Sequence, residues 1–598
     1  MMLPTPARLT KLILFLAATG HAVAFQKAEC NQIVKNRLMN GTLLPDDWVF
    51  YRQNDIPMSN MSNLMLNLPG CVATCGGGAS FYEDIGPRLS TWLIPILLLI
   101  GNAHMARLGP EKYLVILHIL GDPIDSLWSL LTKAELWSRC YTAARTYNPP
   151  RPQEETESYE HRVLDIGTVY AAIEELVGSG TDRFRTHFEQ LVREKRPDMS
   201  TEQFYHVTKE AANELSDSRS VELRRAGLAV VSYLYHVVAA FVEVIGGKSS
   251  SPPGGRIGTS LLISWLIPHV LVSNALGGYT SRRTCLRIME RYVKTVTGHS
   301  VEDLRRFSAD KKSLHFLVGR RTAAVTDFYA AQQWSGAVYC YQPRKRLGFR
   351  GGSRDNSPWL LLVLASLPVL VATGVAVTEI VVTPTTGFGC RSVMLLAMFA
   401  LWVASAFVTW ATWVTGLATG KYHYAMTLTK DALVGVPIVL MVFLSSCGLF
   451  NSCFCWSAYF SRKADAHVVL DDSDERARNA HTFYPALVSG CLGAQFLLVA
   501  WMLRVIRHGS ALFRREEKQK QADWLATHAH RRHLRFSPGS SPETLLGRAP
   551  NSLSPEGWSP RSKLAGSPEI AFSSELDSGA SSAEPLLLPE SGYMSQRK

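Results

Sequence analysis

Apolar residues in this chain gather into seven stretches of about twenty, at about 89–106, 226–246, 259–279, 358–382, 393–415, 432–454 and 484–505. A helix needs about 20 such residues to cross the hydrocarbon core of a bilayer, so each stretch predicts a transmembrane helix. Leu, Val, Ala and Ile dominate them, with Trp or Tyr near several ends, as anchoring at the interface requires. An eighth run, Tyr113 to Leu131, is interrupted by Gly121-Asp122-Pro123-Ile124-Asp125. Asp122 suits an N-cap, Pro123 the first helical position and Asp125 the third, which predicts a break followed by a fresh helix. A run cut in this way fits an interfacial or re-entrant segment, 113–131, better than a crossing.

Between the first two spans the pattern becomes amphipathic. Ile166, Val169, Tyr170, Ile173, Leu176 and Val177 recur at helical spacing, and so do Phe204, Val207, Ala211 and Leu215, after a Ser200 cap with Gln203 three residues on. The expected fold is therefore an all-α multi-pass membrane protein. It has about seven transmembrane helices, a helical cytoplasmic region and a small disulfide-containing luminal or extracellular N-terminal segment.

The start of the chain carries the signals of secretory entry. Residues 1–24 read as a signal peptide: Arg8 and Lys11 precede an apolar stretch, Leu12 to Ala18, and Ala22-Val23-Ala24 offers a cleavage site. The alternative, an uncleaved signal anchor, leaves the next segment on the same side. That segment, 25–88, contains the glycosylation acceptors Asn40 and Asn60, and no other N-x-S/T acceptor occurs in the chain.

Composition adds little until it is divided by region. The 598 residues are 47% hydrophobic and carry a net charge of +12. The loop 280–357 holds 16 Lys/Arg against 6 Asp/Glu, a surplus of 10, so most of the net charge sits there. More basic residues, Arg504, Arg507, Arg514, Arg515, Lys518 and Lys520, follow the last span. Positively charged flanks favour the cytoplasm. With a luminal start, seven crossings put both regions inside, and eight would put both outside. The expected order is a signal peptide (1–24), a glycosylated head (25–88), a first span (89–106), a cytoplasmic helical region (107–225) and a transmembrane hairpin (226–279). A basic cytoplasmic loop (280–357), a four-span bundle (358–505) and a cytoplasmic tail (506–598) follow, the tail disordered from about 521 on its Ser-, Pro- and Gly-rich composition. The expected location is a secretory-pathway membrane, the plasma membrane first.

This topology sorts the cysteines. Cys30, Cys71, Cys75, Cys390, Cys453 and Cys455 fall on the oxidising side as disulfide candidates with fifteen conceivable pairings, while Cys140, Cys285 and Cys340 fall in the cytosol. Neither Cys71/Cys75 nor Cys453/Cys455 has a second ligand pair at zinc spacing, so no metal is expected.

Within the spans, His236 and His269 sit at similar depth on either side of a short link, 247–258. They are intramembrane polar candidates, either as a proton- or metal-sensitive pair or as two separately bonded structural histidines. Glu243 and Glu379 lie close to luminal span ends, where their carboxylates are expected to reach water. Asp122 and Asp125 are read as capping groups, with a re-entrant pathway as the alternative. Arg283, Arg287, Arg291 and Lys294 line one face of a helix opposite Leu286, Met289 and Val293, a pattern suited to anionic lipids of the cytoplasmic leaflet or simply to orienting the chain. Ser537, Ser541, Ser554, Ser559 and Ser567 each precede Pro and are phosphorylation candidates.

No catalytic constellation and no cofactor site is expected. There is neither an H-E-x-x-H nor a G-x-S-x-G pattern, and Gly416 to Tyr422 lacks the spacing and the Ser/Thr of a phosphate loop. Partners are the bilayer and a cytosolic protein, not nucleic acid. Seven spans, a glycosylatable head, a basic loop and a Ser-Pro tail outline a receptor or sensor, or a membrane scaffold; a transporter or channel with a midplane polar site is the alternative. About 120 residues separate the first two spans, which departs from the short first loop of seven-helix receptors, and no family resemblance follows.

Overall fold

A computed structural model describes residues 27–40, 49–53, 56–57, 64–75, 85–103, 111–150, 155–177, 191–220, 222–239, 253–279, 282–298, 357–383, 387–415, 420–448, 459–463, 466–469 and 482–507. Short pieces near 152, 188, 455 and 509–512 are described as well. Asn60, Glu243, Cys453 and the five Ser-Pro serines lie outside these residues, as does the side chain of Arg283.

Five helices are long and apolar enough to cross a membrane, over Ile257–Leu276, Trp359–Val382, Cys390–Thr412, Met426–Cys447 and Tyr484–Val505. They make the chain a helical membrane protein. The expected spans at 89–106 and 226–246 correspond to helices of 17 described residues, α3 (Ile85–Gly101) and α8 (Leu223–Ala239), which are not among the five. Along α12 (Pro358–Val382), α13 (Cys390–Val414), α14 (Gly420–Cys447) and α16 (Tyr484–Val505), large apolar side chains such as Val363, Leu370, Phe407, Leu433, Leu440, Leu497 and Trp501 are exposed. Backbone polar groups satisfied inside helices beneath an apolar exterior are what a lipid solvent demands.

The segment 257–276 is instead enclosed by protein along nearly its whole length. It consists of two helices, α9 (Pro253–Leu262) and α10 (Leu266–Leu276), separated by Ile263, Ser264 and Trp265. Around this break the amide hydrogen bonds shorten to three-residue steps, with Ser264 N to the Leu261 carbonyl at 3.0 Å and Ile267 N to the Ser264 carbonyl at 3.0 Å. Gly258 lets α9 lie against α12, since a Cβ there would come within 2.8 Å of Ile380.

The N-terminal segment folds into a head with strands, so the described residues are not purely helical. Helices α1 (Lys27–Met39) and α2 (Leu68–Cys75) are joined by the disulfide Cys30–Cys75. Strands β1 (Val49–Gln53), β2 (Ile56–Pro57) and β3 (Leu64–Asn67) form an antiparallel sheet in the order β2-β1-β3-β6. The fourth strand, β6 (His467–Val469), comes from the connection between α14 and α16, after the short helix α15 (Tyr459–Arg462), with Met65 opposite Val469 and Asn67 opposite His467. A second disulfide, Cys71–Cys455, ties the head to the same connection. Cys390 is also disulfide-bonded, to a partner outside the described residues, and Cys140 and Cys285 are buried and not in a disulfide. The candidates predicted for the oxidising side that can be observed are thus all bridged.

At the opposite end of the bundle lies a helical domain built from the second half of α5 (Pro123–Tyr147), α6 (Thr156–Val177), α7 (Thr201–Asp217) and α11 (Arg282–Thr297). The expected apolar stripes face inward: Ile166, Val169, Tyr170 and Ile173 are buried, as are Phe204, Ala211 and Leu215. The Ser200 hydroxyl accepts from Gln203 N at 3.1 Å, and the Gln203 side chain accepts from Ser200 N at 2.9 Å, completing the capping box. Phe188 stacks edge-on against Tyr170 at 5.0 Å, and Thr208 meets the hydroxyl of Tyr292 at 3.0 Å. Burial pushes the Tyr292 phenol above its ordinary range. A short two-stranded pairing, β4 (Arg219–Ser220) with β5 (Gly278–Tyr279), connects this domain to the end of α10. The chain after α16 returns to the domain: Leu512 is buried against Gly167, and Gly509 lies so close to the Ala134 carbonyl that no side chain fits.

Candidate functional site

The break predicted at Asp122 is present and lies in the buried core. Helix α4 (Glu111–Gly121) ends there, Pro123 opens α5, and Asp122 Oδ1 accepts from Asp125 N at 3.0 Å, as capping requires. Capping uses only one of the two Asp122 oxygens. The other, Oδ2, lies 2.5 Å from Lys430 Nζ and accepts from the Thr409 hydroxyl at 2.9 Å.

Lys430 and its neighbour Asp431 come from α14. That helix begins at Gly420, twelve residues before the apolar run that predicted a span, and so carries both charges into the bundle. The Lys430 ammonium also reaches Asp431 Oδ1 at 2.9 Å and donates to the Ser405 hydroxyl of α13 at 2.8 Å. Asp431 Oδ2 in turn meets His118 Nδ1 of α4 at 2.6 Å, and the opposite nitrogen, His118 Nε2, lies 3.3 Å from Asp125 Oδ2 of α5. One imidazole therefore lies between two carboxylates, hydrogen-bonded to Asp431 and within ion-pair distance of Asp125. Asp122, Asp431 and His118 are essentially without solvent exposure, and Asp125 is nearly so.

Two glycines make this convergence sterically feasible. A Cβ on Gly121 would lie 2.7 Å from the Asp431 carbonyl oxygen, and one on Gly435 would lie 3.3 Å from Gly121 N. Helices α4 and α14 thus cross in backbone contact, as small residues permit in membranes. The Trp402 indole donates to the Leu120 carbonyl at 2.8 Å, satisfying one of the acceptors that the end of α4 leaves open.

The two histidines singled out from the sequence are not brought into contact among the described residues. His236 is half-buried on α8, its Nδ1 2.7 Å from the Ser232 carbonyl and its ring against Tyr235. His269 is buried on α10 with Nδ1 3.4 Å from the Ser126 hydroxyl, which itself donates to the Pro123 carbonyl at 2.9 Å. His269 thus belongs at the edge of the Asp122 network. Glu379, expected to reach water, is fully buried.

The other sequence candidates lie apart. Asn40 is exposed at the end of α1. On α11, Met289, Val293 and Val296 are buried and the helix packs on α7, while Arg287, Arg291 and Lys294 point outward and Arg291 pairs with Glu214 at 2.7 Å. Its apolar face is therefore already covered by protein. Among the described residues no group of three His, Cys, Asp or Glu side chains is arranged to hold a metal ion.

What sequence reasoning missed is the other half of the network: His118, Ser405, Thr409, Lys430 and Asp431. The available signal was a Lys-Asp pair abutting an apolar run, with polar residues spaced along a neighbouring span. No protein family model matches the sequence, no curated protein is significantly similar to it, and no solved structure matches its fold.

Proposed function

We propose that this protein is a proton-coupled membrane transporter whose coupling site is the carboxylate–imidazole–carboxylate bridge Asp431–His118–Asp125. The single observation that carries this reading is one buried imidazole within reach of two carboxylates on different helices, beside a Lys–Asp pair, in the interior of a membrane bundle. Burying ionisable groups in a membrane interior is costly, and their persistence marks ion paths and proton relays. An imidazole changes charge near neutral pH and can take a proton at one nitrogen while releasing one at the other. The broken helices at Asp122 and at Ser264 add the discontinuous geometry found around coupling sites in transporters.

The topology that accompanies this reading has a luminal head, a cytoplasmic helical domain and tail, and seven crossings in a secretory-pathway membrane, the plasma membrane first. Support comes from the disulfides, which favour an oxidising compartment for the head and for the α14–α16 connection. The exposed basic face of α11 then meets the anionic cytoplasmic leaflet.

A second reading, a receptor or sensor, is favoured by one specific feature. Strand β6 and the Cys71–Cys455 bridge join the head to the connection that follows α14, the helix bearing Lys430 and Asp431. A ligand moving the head would pull on the network.

The test is electrical. Protein reconstituted in liposomes on a solid support is exposed to a step in pH, and the transient charge displacement is compared with Asp431→Asn and His118→Gln. The proton reading expects a transient in the parent protein that falls severalfold in both variants. A transient no larger than that of protein-free liposomes, or one unchanged in the variants, overturns it.

A further inference from the structure

Glu379 of α12 lies outside the Asp122–Lys430–Asp431–His118–Asp125 network and makes none of its contacts. Its side chain is fully enclosed, yet neither Oε1 nor Oε2 has a hydrogen-bond partner among the described residues. It sits one turn from the head end of α12, where Thr383 closes the helix by donating its amide and hydroxyl to the Glu379 carbonyl oxygen. Isolated ionised carboxylates are not tolerated in such surroundings, and burial is accommodated by neutralisation.

The surroundings bear this out group by group. From α16, Tyr484 directs its hydroxyl to Thr383 at 3.4 Å. From α9, Gly258 packs against Ile380 and Ala376, and the side chain of Arg256 is outside the described residues. On α13 the ionisable residue at this end is Arg391, which has interactions of its own. On α5, which also packs on α12, the charged residues are Asp125, which belongs to the deeper network, and Lys133, Glu135, Arg139 and Arg145 further along the helix. Of these, Lys133 lies over Trp137 and Arg145 pairs with Glu160.

Deeper along the same face of α12 come Ala376, Ala372 and Pro368, which leave little side-chain bulk. There the Gln495 amide nitrogen donates to the Pro368 carbonyl at 2.9 Å and to Ser264 at 3.3 Å, while Gln495 Oε1 is buried without a partner among the described residues. The neighbouring Trp265 indole nitrogen is also buried without one, and Trp265 stacks on Trp402 at 5.8 Å, beside the network. Buried polar atoms of this kind are ordinarily satisfied by internal water.

We propose that Glu379 is a proton-binding site on the head side of the bundle, holding a neutral carboxylic acid that exchanges its proton with the head-side solution and passes it inward past Gln495, Ser264 and Trp265. The step is a proton transfer alone: the carboxyl O–H bond breaks as an internal water gains the proton, that water hands one of its own protons to the next water inward, and the carboxylate is reprotonated from the head side. As a proton site Glu379 stands on its own geometry; as the supplier of the Asp431–His118–Asp125 bridge it rests on the proton-coupled reading.

The experiment is infrared difference spectroscopy of the full-length protein in liposomes during a pH titration, with pH-step currents on the same preparations. The expected result is the carbonyl stretch of a protonated carboxylic acid at neutral pH, shifted in D2O, lost in both Glu379→Gln and Glu379→Leu and retained in Asp431→Asn. Currents evoked from the head side should fall severalfold in Glu379→Gln. No such band in the parent protein at neutral pH, or a band that survives both substitutions, overturns the site. A band that behaves as expected while Asp431→Asn leaves the current unchanged keeps the site and overturns the bridge; currents lost in Asp431→Asn but unchanged in Glu379→Gln keep the bridge and overturn Glu379 as its supplier.

Discussion

Replacing Lys430 by Met tests whether the buried charges form one coupled unit. The ammonium lies 2.5 Å from Asp122, 2.9 Å from Asp431 and 2.8 Å from Ser405, with little solvent to screen it. Met matches its length and removes only the charge and the donors. Removing one partner of a buried pair leaves an uncompensated charge, which costs about 3–5 kcal/mol. Asp122→Asn is the complementary change, because Asn remains a good N-cap and keeps α5 started while the negative charge is lost. Each single variant should therefore lose about 3–5 kcal/mol, whereas the double variant, with neither charge, should be less destabilised than the sum by about 2–3 kcal/mol. Equilibrium unfolding in mixed micelles with increasing SDS, followed by circular dichroism and tryptophan fluorescence, supplies the four free energies. Additivity to within about 0.5 kcal/mol would show that Lys430 and Asp122 do not interact, and the network as described would fail.

Other expectations follow from particular contacts. Gly121→Ala should cost about 1–3 kcal/mol, since its Cβ would press on the Asp431 backbone, and the same unfolding assay should show it, whereas Gly490→Ala, with open space around it, should show no such overpacking loss. A protease site inserted between residues 300 and 330 should yield two fragments that stay together on a denaturing gel until reduced; Cys455→Ser should release them without reductant, and fragments that separate unreduced in the parent protein contradict the Cys71–Cys455 link. Ser200→Ala should destabilise α7 by about 1 kcal/mol, read as about fivefold faster amide exchange within that helix, and unchanged exchange would deny the capping box its role. Changing Arg287, Arg291 and Lys294 together to Gln should weaken attraction to phosphatidylserine-containing leaflets by about 1 kcal/mol per charge, measured as lost crosslinking to a photoactivatable anionic lipid; equal crosslinking in the variant removes that contact.

Much of the frame was legible because hydropathy and capping are local. The runs at 358–382, 393–415 and 484–505 became helices with nearly the expected limits. Asp122, Pro123 and Asp125 start α5 in the manner their order implies, and Ser200 with Gln203 does the same for α7. The site was legible only in part, because its bonds join residues about 300 positions apart: Lys430 meets Asp122 and His118 meets Asp431. Local reading gave Asp122 a sufficient role as a cap, and a cap needs one oxygen. Nothing near it in the chain announced that the second would face an ammonium from α14. The error over Glu379 has the same origin, since depth along a span says where a carboxylate lies along the axis but not whether the neighbouring helices cover it.

Burial also changes what the charges imply. On a surface, a Lys–Asp pair adds at most about 1 kcal/mol and needs no explanation. Inside a bundle the desolvation of each ion costs several kcal/mol, and an apolar replacement of the whole set would often be at least as stable. Stability alone therefore does not account for gathering Asp122, Asp125, Asp431, Lys430 and His118 at one point, still less for leaving two glycines, Gly121 and Gly435, to let the helices meet there. The helix break works in the same direction. An unbroken 113–131 helix would direct no side chain-capped terminus into the core, whereas the interruption at Asp122 places an N-terminus, its capping carboxylate and the first turn of α5 against α13 and α14. The proposed proton coupling accounts for a fold that spends packing quality, helix continuity and solvation on one set of protonable groups.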